Sequence, residues 1–244
     1  MQWDEDIAAL PLSDGEKDGL QVYRNYTQAF DDHAEKEFAK LIDADPFNSS
    51  ELERVFGLVA TEDPRFLPVL ACAYADDVMK TMFKAEVPAS VPGGASRQFS
   101  AYGPFSDLFR KIQLAYIFQL LSSDILADLN KLRDARNKLS HTWDASKLGD
   151  FFVSMPVKDV FPIEEMIGER KDWFPDLKQP LDPLNAFRIR IIWLLARLAY
   201  EAPLYSRAKK LRAQPQRCLY GPNRPQRLTE VARLAMEASR KAIA

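Results

Sequence analysis

The chain has 244 residues, 47% of them hydrophobic and 28% charged, which is the composition of a globular protein with a sizeable core and excludes a disordered tail or a fibre. Nine glycines argue against glycine-rich phosphate loops and many-turned β folds, and two cysteines (Cys72, Cys218) with two histidines (His33, His141) exclude a disulfide scaffold and a histidine-rich metal cage. The net charge of −2 is unevenly spread: residues 1–80 hold 18 acidic against 7 basic side chains, whereas residues 204–244 hold 2 against 10.

No apolar run approaches the ~20 residues of a membrane helix. The longest, Ile191 to Ala196, is bracketed by Arg190 and Arg197. The first residues, with Asp4, Glu5 and Asp6, lack the basic start and apolar run of a signal peptide. No membrane and a reduced, cytoplasmic setting are therefore expected.

Residues 1–19, acidic and containing Pro11, Gly15 and Gly19, read as a loose lead-in. From Asp14 to Leu41 the spacing of Leu20, Tyr23, Tyr26, Phe30 and Phe38 predicts a helix, which Asp45-Pro46 breaks. Asp31, Asp32, His33, Glu35 and Glu37 read as its solvated acidic face. Ser49 or Ser50 is expected to cap the next helix, with Glu51 and Glu53 in its first turn, where they suit the dipole. A strongly apolar helix follows from Leu67 to Phe83, with Cys72 as a core residue and Asp76-Asp77 as its polar exception. After the loop at 88–94, an amphipathic helix is predicted from Phe105 to Leu121, and another from Asp124 to His141 with Ser122 or Ser123 as cap. Five prolines make 142–183 an irregular connection, with a short helix at 163–171 and at most a short strand at 156–162. Trp143, Phe151 and Phe152, close behind His141, are expected to cover the end of the helix before them. A long apolar helix spans Asn185 to Tyr200, and a last one, about 226–243, places Leu228, Val231, Leu234, Ala235 and Ala238 on one face. The expected fold is all-α: an antiparallel helical bundle over 20–203, with the irregular proline-rich connection inside it and a basic C-terminal helical extension over 204–244.

The informative segment is 124–141. At 100° per residue, with Ile125 at zero, Leu129, Leu132 and Leu139 fall within about 40° and form the core stripe, and Arg136 falls about 20° away, inside it. A guanidinium there requires acceptors or a wet cavity. Asn130, Arg133, Asn137 and His141 form a second, polar stripe. One reading is structural: Arg136 binds carbonyls or a carboxylate, and His141 suits the helix C-terminus. The other follows from the pattern Arg136-Asn137-x-x-x-His141, which matches the R-N-x3-H motif of HEPN-type helical domains. In the HEPN ribonucleases two such motifs meet across a dimer and cleave RNA without metal. A near-neutral imidazole that moves protons and a guanidinium that grips phosphate suit that chemistry.

A longer stretch, YGPFSDLFRKIQLAYIFQLLSSDILADLNKLRDARNKLSH from Tyr102, resembles the mannitol operon repressor (MtlR-like) family. Gly103-Pro104-Phe105, Lys111-Ile112, Leu114-Ala115-Tyr116, Asp128-Leu129, Arg133 and the Arg136–His141 motif fall on that family's core. The usual glycine between the two helices is missing from Phe118-Gln119-Leu120-Leu121, and the last 100 residues are an extension. The resemblance implies an all-α, often oligomeric regulator without its own DNA-reading motif. The expectations are therefore a homodimer or higher homo-oligomer acting through a protein partner, with a metal-independent endoribonuclease, RNA as its substrate, as the alternative. Candidate catalytic residues are Arg136, Asn137 and His141. Arg133, Lys138, Lys209, Lys210 and Arg212 are candidate phosphate contacts, patterned for backbone rather than bases. No metal site and no cofactor are expected.

Overall fold

The computed structural model describes residues 2–44, 47–139, 182–210, 223 and 225–243, with backbone alone at 139 and 205–210. Nine helices and no strand occur among the described residues, so the fold is all-α. They are α1 (Glu5–Ala8), α2 (Asp14–Ala44), α3 (Ser49–Thr61), α4 (Leu67–Glu86), α5 (Ala95–Gln98), α6 (Leu108–Ile117), α7 (Ser123–Leu139), α8 (Pro183–Lys210) and α9 (Gln226–Ile243). The chain forms two compact units: residues 1–46 with 207–226, and residues 47–206 with 227–244. The connection at 142–181 lies outside the described residues.

In the first unit the expected loose lead-in is replaced by a tied helical turn. Trp3 Nε1 donates to Asp18 (2.8 Å), the Asp4 N–H donates to Gln21 Oε1 (2.8 Å), and Lys17 Nζ reaches the Ala8 carbonyl (2.8 Å). Arg24 forks between Asp4 and Asp6 (3.0 and 2.7 Å), and its hydrogen bonds hold the Asp6 carboxyl down to about 2. Ile7 is buried beneath this lattice. Charge that reads as solubilising along the sequence is thus spent on pairing α1 with α2. α2 starts with one half of a capping box: the Ser13 N–H donates to Glu16 Oε2 (2.9 Å), and the Ser13 hydroxyl donates to the same oxygen (2.6 Å). Further along, Glu35 is buried rather than part of a solvated face.

The second unit is a bundle in which α4, α6 and α7 pack on one another and α3 packs on α4. The cap of α3 is Asn48, one residue before the expected serines; its side chain accepts from the Glu51 N–H (3.2 Å) and donates to the Glu51 carboxylate (3.0 Å). Pro68 sits in the first turn of α4, where its missing N–H costs nothing. α6 is shorter than the predicted 105–121. It starts at Leu108 because Asp107 caps it, accepting from the Arg110 N–H (3.0 Å). Gly103 lies in the turn before it, where an added Cβ would overlap the carbonyl oxygens of Arg97 and Gln98.

α6 stops at Ile117 in a Schellman motif: the Gln119 N–H donates to Tyr116 O (3.2 Å) and the Leu120 N–H to Ala115 O (2.9 Å). This closure forces Gln119 to φ +51°, the left-handed region that glycine occupies without strain. It is the stretch where the MtlR-like pattern has its glycine. α8 crosses the middle of the unit. From Phe187 to Leu204 every side chain is buried except Arg197, Ala199 and Pro203, which are half-buried. A helix with no wet face belongs at the centre of a bundle.

Gln119→Gly is expected to raise stability by about 0.5–1 kcal/mol by relieving the left-handed strain. Chemical denaturation of the two proteins measures it, and an unchanged or lower midpoint contradicts the strain argument.

Candidate functional site

The site is built on the seam of α4, α6 and α7. Ile125, Leu129 and Leu132 of α7 are buried, as the stripe predicts, joined by Leu126, Asp128 and Ala135. Arg136 departs from the expectation. Despite its angular position among the core residues it is half-exposed, because it stands in the last turns of α7, and its guanidinium bonds the neutral Asn137 Oδ1 through Nε (3.3 Å) and Nη2 (3.0 Å). A long side chain can lay its methylenes on the core and turn its charge outward.

One turn earlier, Arg133 is more tightly held. Its Nε donates to Asn130 Oδ1 (3.2 Å), its Nη2 pairs with Asp134 (2.7 Å), and its guanidinium carbon lies 4.6 Å from the centre of the Phe109 ring on α6. That contact fixes the guanidinium plane beside an aromatic face. Asn137 and Lys138 are exposed on the same last turns. Lys209 and Lys210 lie within α8, where only the backbone is described, and His141 and Arg212 lie outside the described residues, as do Trp143, Phe151 and Phe152. The structure therefore brings Arg133, Arg136, Asn137 and Phe109 to one place.

Beneath this surface lies a buried polar layer that the sequence reading did not assemble. Lys111 is 1% exposed, and its Nζ bonds Asp76 Oδ1 of α4 at 2.6 Å. A buried ammonium needs such a partner. The signal was available: at 100° per residue Lys111 falls among Leu108, Ile112 and Ala115, the buried face of α6. Asp76, the polar exception of α4, is thereby explained as an ion-pair member. Cys72, one turn before Asp76, is buried; burial pushes its thiol up to about 11, although the charges of Arg136 and Arg133 act in the opposite direction.

Chemically, the surface offers two guanidiniums, that of Arg133 beside an aromatic ring, suited to an oxyanion or to a carboxylate-bearing protein surface. Among the described residues no group of three or more His, Cys, Asp and Glu side chains could hold a metal ion, and no helix is long and apolar enough to cross a membrane. No protein-family model, curated protein or solved structure matches the chain. The resemblance along 102–141 therefore rests on its own residues.

Cys72 is expected to be inert in the folded protein. In a Cys218→Ser background, a thiol reagent at pH 8 should label nothing in native protein over minutes and one thiol after denaturation in urea. Fast native labelling would mean that the α4–α6–α7 seam opens readily.

Proposed function

We propose that this chain is an MtlR-like cytoplasmic regulatory protein that acts by binding another protein and has no DNA-reading element of its own. The observation that carries the reading is the outer face of α6. Phe109, Tyr116, Ile117 and the following Phe118 are 43%, 63%, 66% and 56% exposed, and the first of them, Phe109, lies against the guanidinium of Arg133. Large exposed aromatics grouped on one helix, with an arginine against the first of them, are the composition of a protein-binding surface. The resemblance along 102–141 covers the same helices.

A second reading is favoured by one observation. The Arg136 guanidinium is half-exposed and bonds a neutral amide oxygen, so it keeps its charge for an incoming phosphate. On that reading Arg136, Asn137 and His141 serve a metal-independent endoribonuclease, with Arg133 and Lys138 on the RNA backbone.

Two measurements separate the readings. Incubation of wild type, Arg136→Ala and His141→Ala with single-stranded RNA in EDTA should give equal, background-level cleavage if the protein is a regulator. Cleavage by wild type alone would replace that reading with the ribonuclease. In parallel, Tyr116→Ser/Phe118→Ser should lose by at least tenfold the yield of a protein that wild type retains from lysate; an unchanged yield removes the α6 face from the account.

A further inference from the structure

α2 wears its amphipathicity inside out. Along residues 17–31 the side turned inward carries Lys17, Gln21 and Arg24, which bond α1, while Val22, Tyr23, Tyr26 and Phe30 are 54–68% exposed. At 100° per residue the exposed apolar group lies roughly opposite Gln21, Glu35 and Ile42, which are buried. The outward positions follow a heptad spacing: Glu16, Tyr23, Phe30 and Glu37 on one register line, Gly19, Tyr26, His33 and Lys40 on the other. All are exposed except Glu37, which is half-buried. Among the described residues these aromatics stand exposed at the outward seam positions of a 31-residue helix, the composition of an interface rather than of a solvated face.

The charges on the seam identify the occupant. If a second α2 lies antiparallel with Tyr26 opposite Phe30, positions whose numbers add to about 56 face each other. Glu16 then meets Lys40, whose ammonium also pairs with Glu37 of its own helix (2.6 Å), Tyr23 meets His33, and Gly19 leaves room for Glu37. Each layer recurs on the other side of the two-fold axis, and no layer opposes like charges. A parallel pair would set Glu16, Glu37 and Lys40 each against itself. A shift of one heptad separates the acid from the base. The seam is self-complementary in one orientation and one register.

We propose that a second copy of this chain docks on the outer face of α2, antiparallel, forming a homodimer whose centre is the Tyr26–Phe30 pair and whose ends are Glu16–Lys40 contacts. A dimer agrees with what the resemblance along 102–141 implies, but the α2 seam as its interface rests on α2 alone, and the α6 face and the α2 face are tested by different variants and different readouts.

Sedimentation equilibrium of the full chain from about 1 to 100 µM is expected to give twice the 27.8 kDa chain mass. Tyr26→Ser/Phe30→Ser, at exposed positions that leave the helix intact by circular dichroism, should raise the dissociation constant at least tenfold. Glu16→Lys and Lys40→Glu should each weaken the dimer, and the double variant Glu16→Lys/Lys40→Glu should restore it, since only an antiparallel pairing keeps acid opposite base after both reversals. A monomer throughout the range, a dimer untouched by Tyr26→Ser/Phe30→Ser, or a double reversal no tighter than the single ones would each overturn the proposal.

Discussion

The second unit is organised by the polar side chains of a helix that has no business being polar. α8 is buried on nearly all sides, yet it carries Arg188, Arg190, Arg197 and Glu201, which tie it to the end of α3 and to two levels of α7. Arg188 donates to the carbonyls of Val59 and Glu62 at the end of α3 (both 2.6 Å), satisfying acceptors that the helix itself leaves open and complementing its negative end. Arg190 pairs with Asp128 of α7, both buried. Arg197 pairs with Asp124 and Glu201, and Glu201 accepts from Ser122 (2.8 Å). Trp193 Nε1 donates to Ser239 of α9 (3.2 Å). Apolar contacts alone would let a helix this uniform rotate or slide. The ionic contacts fix its rotation and its register.

The same contacts aim the candidate site. Moving from Asp124 to Asp128 along α7 is moving from Arg197 back to Arg190 along α8, so the two helices run antiparallel. The carboxylates that hold α7 against α8 lie on one flank of α7. Arg133 and Asn137 lie roughly 140–180° around the helix from Asp128, at 100° per residue. With the buried leucines filling the sector between, the carboxylate side is committed to α8 and the arginine side is left to α6 and the exterior. The Lys111–Asp76 pair performs the parallel service between α4 and α6. Arg190 also shows the cost of such devices: among the described residues its Nε and Nη1 have no hydrogen-bond partner although it is 2% exposed.

Much of the fold is legible along the chain because helix periodicity and breakers are local signals. α4, α7 and α9 stand where apolar spacing puts them, and α2 ends at Ala44, before α3 begins at Ser49. The misreadings share a cause: each turns on a partner distant in sequence or on backbone geometry. Residues 2–8 look loose until Gln21 and Arg24 are seen to bind them. The end of α6 depends on a left-handed residue that here is glutamine, so no glycine marks it. The aromatics of α2 have helical spacing, but spacing cannot say which way the stripe faces; Tyr23, Tyr26 and Phe30 point outward, and Phe38 is buried. At the site, the polar stripe through Asn130, Arg133 and Asn137 was visible from the sequence. The exposure of Arg136 and the placement of Phe109 under Arg133 were not, because both depend on how α6 and α7 meet.

The central claim is that the paired charges of α8 hold the bundle in register, and equilibrium unfolding of the Arg190–Asp128 pair tests it most directly. Asp128→Leu alone leaves a buried guanidinium without its carboxylate and should cost about 3–5 kcal/mol, whereas Arg190→Met with Asp128→Leu removes both charges and should recover most of that loss. Costs that simply add in the double variant, or an Asp128→Leu protein as stable as wild type, would contradict it.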